Sequence, residues 1–60
     1  MTIQYAVTYE FETRPPQTHR GEMTAWSEPT CIFRAVKEAK KALRPIGWTS
    51  MNCVVLERKS

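Results

Sequence analysis

The stretch SEPTCIFRAVKEAKKALR, Ser27–Arg44, decides the fold that this sequence predicts. Ser27 is a favourable N-cap, and Pro29 in the first helical turn lacks only an N–H that would have no helical partner. At the other end Pro45 disfavours helical geometry at Arg44, and Gly47 supplies a turn. We therefore predict a helix of about sixteen residues between these start and stop signals.

This predicted helix has two distinct faces on a wheel of about 100° per residue. Its apolar stripe consists of Ile32, Val36, Ala39 and Leu43, with Ala35 beside it. The neighbouring face carries one aromatic ring among cationic side chains: Phe33, Arg34, Lys37, Lys40, Lys41 and Arg44. The apolar stripe requires a sheet to pack on, and the rest of the chain supplies one.

Three segments alternate between apolar and polar residues, as half-buried strands do. The clearest is Thr2–Glu12, in which the odd residues from Ile3 to Phe11 form the expected floor for the helix. Glu22–Trp26 is predicted to be a short second strand, and Trp48–Arg58 a third. Residues Thr13–Gly21, which contain Pro15 and Pro16, are predicted to form a long loop because proline cannot donate to a strand ladder.

The element order β-β-α-β predicts a two-layer α+β sandwich. Placing the third strand beside the first gives a three-stranded antiparallel sheet of order 2-1-3 with a right-handed crossover and the helix on one face. Sixty residues form a single domain, 1–60, with a marginal core. The chain begins at Met1 and continues directly into patterned sequence, so we expect a complete small gene product. No apolar run is long enough for a membrane span or a signal peptide, so we expect it to be soluble and cytoplasmic, with no membrane partner.

The sequence argues against an enzyme, a metal site or a bound cofactor. His19 is the only histidine, and no nucleophile or acid accompanies it at a recognisable spacing. Cys31 and Cys53 have too few companions to bind zinc, and we expect them to be reduced thiols in or near the core. Only two glycines are present, so a glycine-rich phosphate loop is excluded. We predict no catalytic residues, no metal ligands and no cofactor.

The cationic helix face is the strongest functional feature. Its side chains could bind phosphates along a nucleic-acid backbone, and Phe33 could stack on an unpaired base. Arg14 and Arg20, from the predicted loop, could extend this surface. The net charge of +3 favours an anionic partner, either nucleic acid or a nucleoprotein. The alternative is an ordinary solvated face whose cations complement the helix dipole.

A second hypothesis is a protein–protein inhibitor or adaptor. Trp26 and Trp48 bracket the helix and belong either to the core or to an interaction surface. The two outer strands lack the prolines and lysines that commonly block edge pairing. Under this hypothesis the chain binds a host protein through a sheet edge, the Pro15–Pro16 loop and an exposed tryptophan. A homodimer could use the same features.

Three stretches together resemble small phage- and prophage-encoded accessory proteins, including some anti-CRISPR proteins: TIQYAVTYEF, EMTAWSEPTCIFRAVKEAKKAL and MNCVVLE. The resemblance lies in size and element order and includes no specific motif, so it implies no functional residues. It implies a protein that acts by binding a host protein or nucleoprotein, without catalysis.

Overall fold

The computed structural model describes residues 1–59, which form a three-stranded antiparallel sheet with one helix packed on one face. The strands are β1 (Thr2–Glu10), β2 (Gln17–Thr24) and β3 (Ser50–Lys59), and the helix is α1 (Glu28–Leu43). The strand order is β2-β1-β3. The predicted α+β sandwich and its 2-1-3 sheet are therefore confirmed.

The central strand β1 supplies most of the core. Its core-facing residues Ile3, Tyr5, Val7 and Tyr9 are at most 2% exposed, as the odd-residue pattern predicted. Its even residues lie on the opposite, solvent-facing side of the sheet, which we call the open face. Hydrogen bonds tie this open face to β2 through Thr2–Thr24 and Thr8–Thr18 side-chain pairs.

The second strand starts earlier than the sequence predicted. We expected a loop through Gly21 and a strand over Glu22–Trp26, whereas β2 runs from Gln17 to Thr24. Tyr9 pairs with Gln17 and Tyr5 with Gly21, so the loop shrinks to residues 11–16. The prolines end the loop rather than marking its middle. The first and third strands also differ from their predicted bounds by one or two residues at their ends.

The predicted ends of α1 are confirmed. The Ser27 hydroxyl accepts a hydrogen bond from the Thr30 N–H at 3.4 Å, and proline occupies the first turn. Arg44 adopts the left-handed conformation (φ 47°) and donates its N–H to the Lys40 carbonyl. This geometry satisfies one of the unpaired carbonyls that every helix leaves at its C-terminus.

The buried line of α1 is rotated relative to the predicted stripe. Cys31, Ala35 and Ala39 are fully buried, whereas Ile32, Val36 and Leu43 are half-buried along one flank. Small side chains therefore lie at the point of closest approach to the sheet, and larger ones fill the space beside it. The prediction that both cysteines lie in or near the core is confirmed, since Cys31 is fully buried and Cys53 packs against the core from β3.

The helix covers only part of the sheet. It packs against β2 and β1 rather than over β3. On β3 the residues Met51, Cys53 and Val55 face the helix side and stay half-buried. Tyr5 pairs with Val55 and Gln4 with Glu57, so Leu56 forms a bulge without a partner on β1. Within residues 1–59 no helix is both long and apolar enough to cross a membrane.

Candidate functional site

The solvent-facing side of α1 is a continuous basic surface. Its five cationic side chains are all exposed, and we call them the cationic ridge: Arg34, Lys37, Lys40, Lys41 and Arg44. At 100° per residue they span roughly a third of the helix circumference, opposite the buried line through Ala35. The first four lie within α1, and Arg44 caps it.

None of these cations is neutralised by an ion pair within residues 1–59. The ion pair in this part of the chain joins Arg58 on β3 to Glu28 at the start of α1. Glu28 raises the pKa of the Arg58 guanidinium by hydrogen bonding and by its charge. The ridge therefore keeps its positive charge available to an external anion.

Two exposed aromatic rings are in contact with the ridge. Trp26, just before the N-cap, is 79% exposed, and the Arg34 guanidinium lies 5.2 Å from its ring centroid. Phe33 is 65% exposed, and the Lys37 ammonium lies 5.4 Å from its ring centroid. Both distances fall within the range of cation–π attraction. Each ring thus has a face or edge in solvent and a cation beside it.

A shallow cleft borders the ridge on the side of β2. It has a volume of about 230 Å³ and is lined by Met23, Arg34, Lys37 and Glu38. Met23 is the apolar residue of this lining, and Glu38 adds one acidic group to the two cations. The cleft is small and open, and we assign it no chemistry of its own.

The two arginines predicted to extend the surface lie in different places. Arg14, in the 11–16 loop, stacks over Phe11 at 3.9 Å and donates to the Ile46 carbonyl, just beyond the C-terminal end of α1. It therefore lies near the Arg44 end of the ridge. Arg20 belongs to β2, not to the loop, and pairs with Ala6 on the open face. The prediction that Arg20 shares the loop with Arg14 is wrong, and the sheet separates Arg20 from the ridge.

Sequence reasoning did not place Trp26 in this site. The sequence alone is compatible with either tryptophan in the core or on an interaction surface. The structure exposes Trp26 beside Arg34, whereas Trp48 is 41% exposed and packs edge-on against Tyr9, with 5.3 Å between ring centroids. No sequence signal indicates this contact, because Trp26 precedes the N-cap of α1 and helical spacing does not extend to it.

Comparisons with known proteins identify no relative of this chain. No protein-family model matches the chain, and neither a curated protein nor a solved structure matches it. Within residues 1–59 no group of three or more histidine, cysteine or acidic side chains is placed to bind a metal ion.

Proposed function

We propose that this protein is a non-enzymatic module that binds single-stranded nucleic acid through the cationic ridge and the two aromatic rings beside it. One observation carries the proposal. Five exposed cations have no ion-pair partner within residues 1–59, and the exposed rings of Trp26 and Phe33 lie beside them. A domain with a marginal core gains stability by burying large aromatic side chains, so the exposure of these two rings beside the cations favours a binding role.

A single strand fits this surface better than a duplex does. The cations can follow successive phosphates along the helix, which supplies affinity without sequence preference. The rings offer faces on which unpaired bases can stack, and each such contact is worth about 1–3 kcal/mol. A duplex presents its base faces only at its ends, so it could use the cations but not the rings.

The first test measures how binding of a mixed-sequence single-stranded oligonucleotide depends on salt. If all five ridge cations contact phosphates, the slope of log K against log salt should be about −3.5, and affinity should fall roughly a hundred-fold between about 50 and about 200 mM salt. A duplex of the same sequence should bind more weakly. Absence of binding to the single strand at low salt would show that the proposal is wrong.

A matched pair of double variants distinguishes binding by the ridge cations from an effect of net charge alone. Lys37→Glu with Lys41→Glu reverses two ridge cations, and Arg20→Glu with Lys59→Glu reverses two cations that pair with open-face residues of β1. Both variants change the net charge by the same amount. We expect the first to abolish binding and the second to retain most of it, with unchanged circular dichroism for both. Equal losses would point to non-specific attraction instead.

Stacking can be read from tryptophan fluorescence. In a Trp48→Phe background, Trp26 is the only tryptophan, and a base stacked on it should quench its emission on titration with oligonucleotide. Trp26→Ala and Phe33→Ala should each weaken binding by about 1–3 kcal/mol with little change in the salt slope, because they remove stacking but not phosphate contacts. Unquenched Trp26 at saturation would rule out stacking on that ring.

A further inference from the structure

The outer strand β3 is unusually apolar for an exposed edge. Residues 51–56, MNCVVL, contain no charge and no proline. On the open face Val54 is 44% and Leu56 is 54% exposed. On the helix side Met51, Cys53 and Val55 stay half-buried because α1 lies over the other two strands. Long uncharged edges of this kind readily pair with another strand.

The helix side of β3 continues into an apolar flank of α1. The cleft that contains Met23 and Glu38 shows which flank of α1 borders β2. Ile32, Val36 and Leu43 lie on the other flank, about 100° or more from Glu38 on the helical wheel, and so are on the side of α1 nearer to β3. Together with the three β3 side chains they form a strip that this chain covers only in part.

The other edge of the sheet does not share these properties. On β2, the open-face positions Thr18, Arg20, Glu22 and Thr24 are all polar or charged and exposed. Gln17 and His19 add polar groups on the helix side. Charged side chains on an edge strand oppose its pairing with another chain. An intermolecular strand pair is therefore favoured at β3 and disfavoured at β2.

We propose that two copies of this chain associate through antiparallel pairing of their β3 strands, forming one six-stranded sheet. A second copy is the fitting occupant because the strand is complementary to itself. With Cys53 opposite Cys53 of the other copy, Met51 lies opposite Val55, and Asn52 lies opposite Val54. No charged residue then faces a like charge, and all five central pairs fall before the bulge at Leu56.

The symmetry of this pairing fixes where the helices go. Antiparallel strands in one sheet are related by a two-fold axis perpendicular to the sheet. Both α1 helices therefore lie on the same side, and the two partly covered apolar strips meet between them. The two cationic ridges then face the same side of the assembly. This inference does not depend on nucleic-acid binding, since it rests on β3 alone.

The experiment measures the oligomeric state by sedimentation equilibrium across a range of protein concentrations. The wild type should be a dimer. Val54→Lys adds a charge to the β3 edge on its exposed side and should yield a folded monomer. Thr18→Lys adds the same charge at the open-face edge of β2 and should remain a dimer. A wild type that is monomeric at all concentrations, or a dimer lost only in the Thr18 variant, would overturn the proposal.

Thiol cross-linking supplies a second test that needs no destabilising variant. Opposed residues on antiparallel strands have Cβ atoms about 4.5–5.5 Å apart, so a short bis-methanethiosulfonate should link Cys53 to Cys53 of the second copy. Cys31 is fully buried and should not react in the folded protein. A covalent dimer should form in the wild type and not in Cys53→Ser. Failure of the wild type to cross-link while Cys53 is modified would contradict the proposed register.

Discussion

Gly21 and Tyr5 show how one small residue shapes the core. They are direct partners on β2 and β1, and the Tyr5 ring lies across the glycine. A Cβ added at Gly21 would lie 2.8 Å from the Tyr5 hydroxyl oxygen and 3.1 Å from Cζ. The absence of a side chain at residue 21 lets the ring extend over β2, where its hydroxyl lies 3.3 Å from Nε2 of His19.

We predict that Gly21→Ala destabilises the domain by about 1–3 kcal/mol, because the methyl group must displace a buried ring. Alanine would otherwise suit a strand at least as well as glycine, so a loss of stability isolates the steric contact. Urea unfolding followed by circular dichroism measures the change. Adding Tyr5→Phe removes the closest contact, so the double variant should be less destabilised than the sum of the single changes. Additive effects would mean that the ring does not lie over Gly21.

At the scale of the element, α1 approaches the sheet through alanine and cysteine. Ala35 and Ala39 are fully buried, whereas Ala42, on the same helix, is exposed. Small side chains on the buried line allow close packing and leave little space for larger ones. The larger residues Ile32 and Val36 lie on the flank and are only half-buried.

Ala35→Leu should therefore destabilise the domain by about 1–3 kcal/mol through overpacking. Ala42→Leu is the matched control and should change stability by no more than about 0.5 kcal/mol, because the added side chain points into solvent. Thermal or urea unfolding of the two variants decides the matter. Little effect at Ala35 as well as at Ala42 would place the buried line nearer to Val36, as the sequence alone predicts.

The differences between predicted and observed elements have physical causes. The ends of α1 were predictable because capping signals act locally, and β1 was predictable because one of its faces is wholly buried. The first half of β2 was not, because its core side carries Gln17, His19 and Gly21. These residue types are typical of a loop, and the contact of the Tyr5 ring with Gly21 cannot be read from the sequence. The helix phase was also ambiguous, since periodicity locates an apolar face but does not show which of its residues approach the sheet most closely.

At the scale of the whole molecule, charge and apolar surface lie in different places. The cationic ridge faces away from the sheet, and the apolar strip lies beside β3. Composition predicted a basic surface, and the wheel identified its residues on α1. Neither of them shows that Arg20 lies on the open face of the sheet, because that depends on the register of β2. Neither shows that Trp26 is exposed, because that depends on the path of the chain into α1.

The stability of the whole domain should also fall in alkaline solution. The chain has two tyrosines, Tyr5 and Tyr9, and both are buried in the core. Burial raises the pKa of both hydroxyls above the ordinary value of 10.0, and for Tyr5 the charges of Glu38 and Cys53 add to the effect. Burial likewise raises the pKa of the Cys53 thiol above 9.0.

Stability falls as the pH rises because the folded state retains the tyrosine and cysteine protons to a higher pH than the unfolded state. Below the unfolded-state pKa values both states are protonated, and the stability is fully present. As the pH rises past them, the unfolded chain loses protons that the folded chain retains, so the free energy of unfolding decreases. Melting midpoints measured by circular dichroism from about pH 8 to about pH 11 should therefore drop, first as Cys53 titrates and more steeply as the tyrosines do.

Tyr5→Phe and Cys53→Ser should each reduce part of this decrease in the melting midpoint with pH. Because burial raises the pKa of both tyrosines, phenolate absorbance should appear at a higher pH than in the unfolded chain and should accompany unfolding. An ordinary, reversible tyrosine titration in a folded domain would show that these hydroxyls are accessible to water.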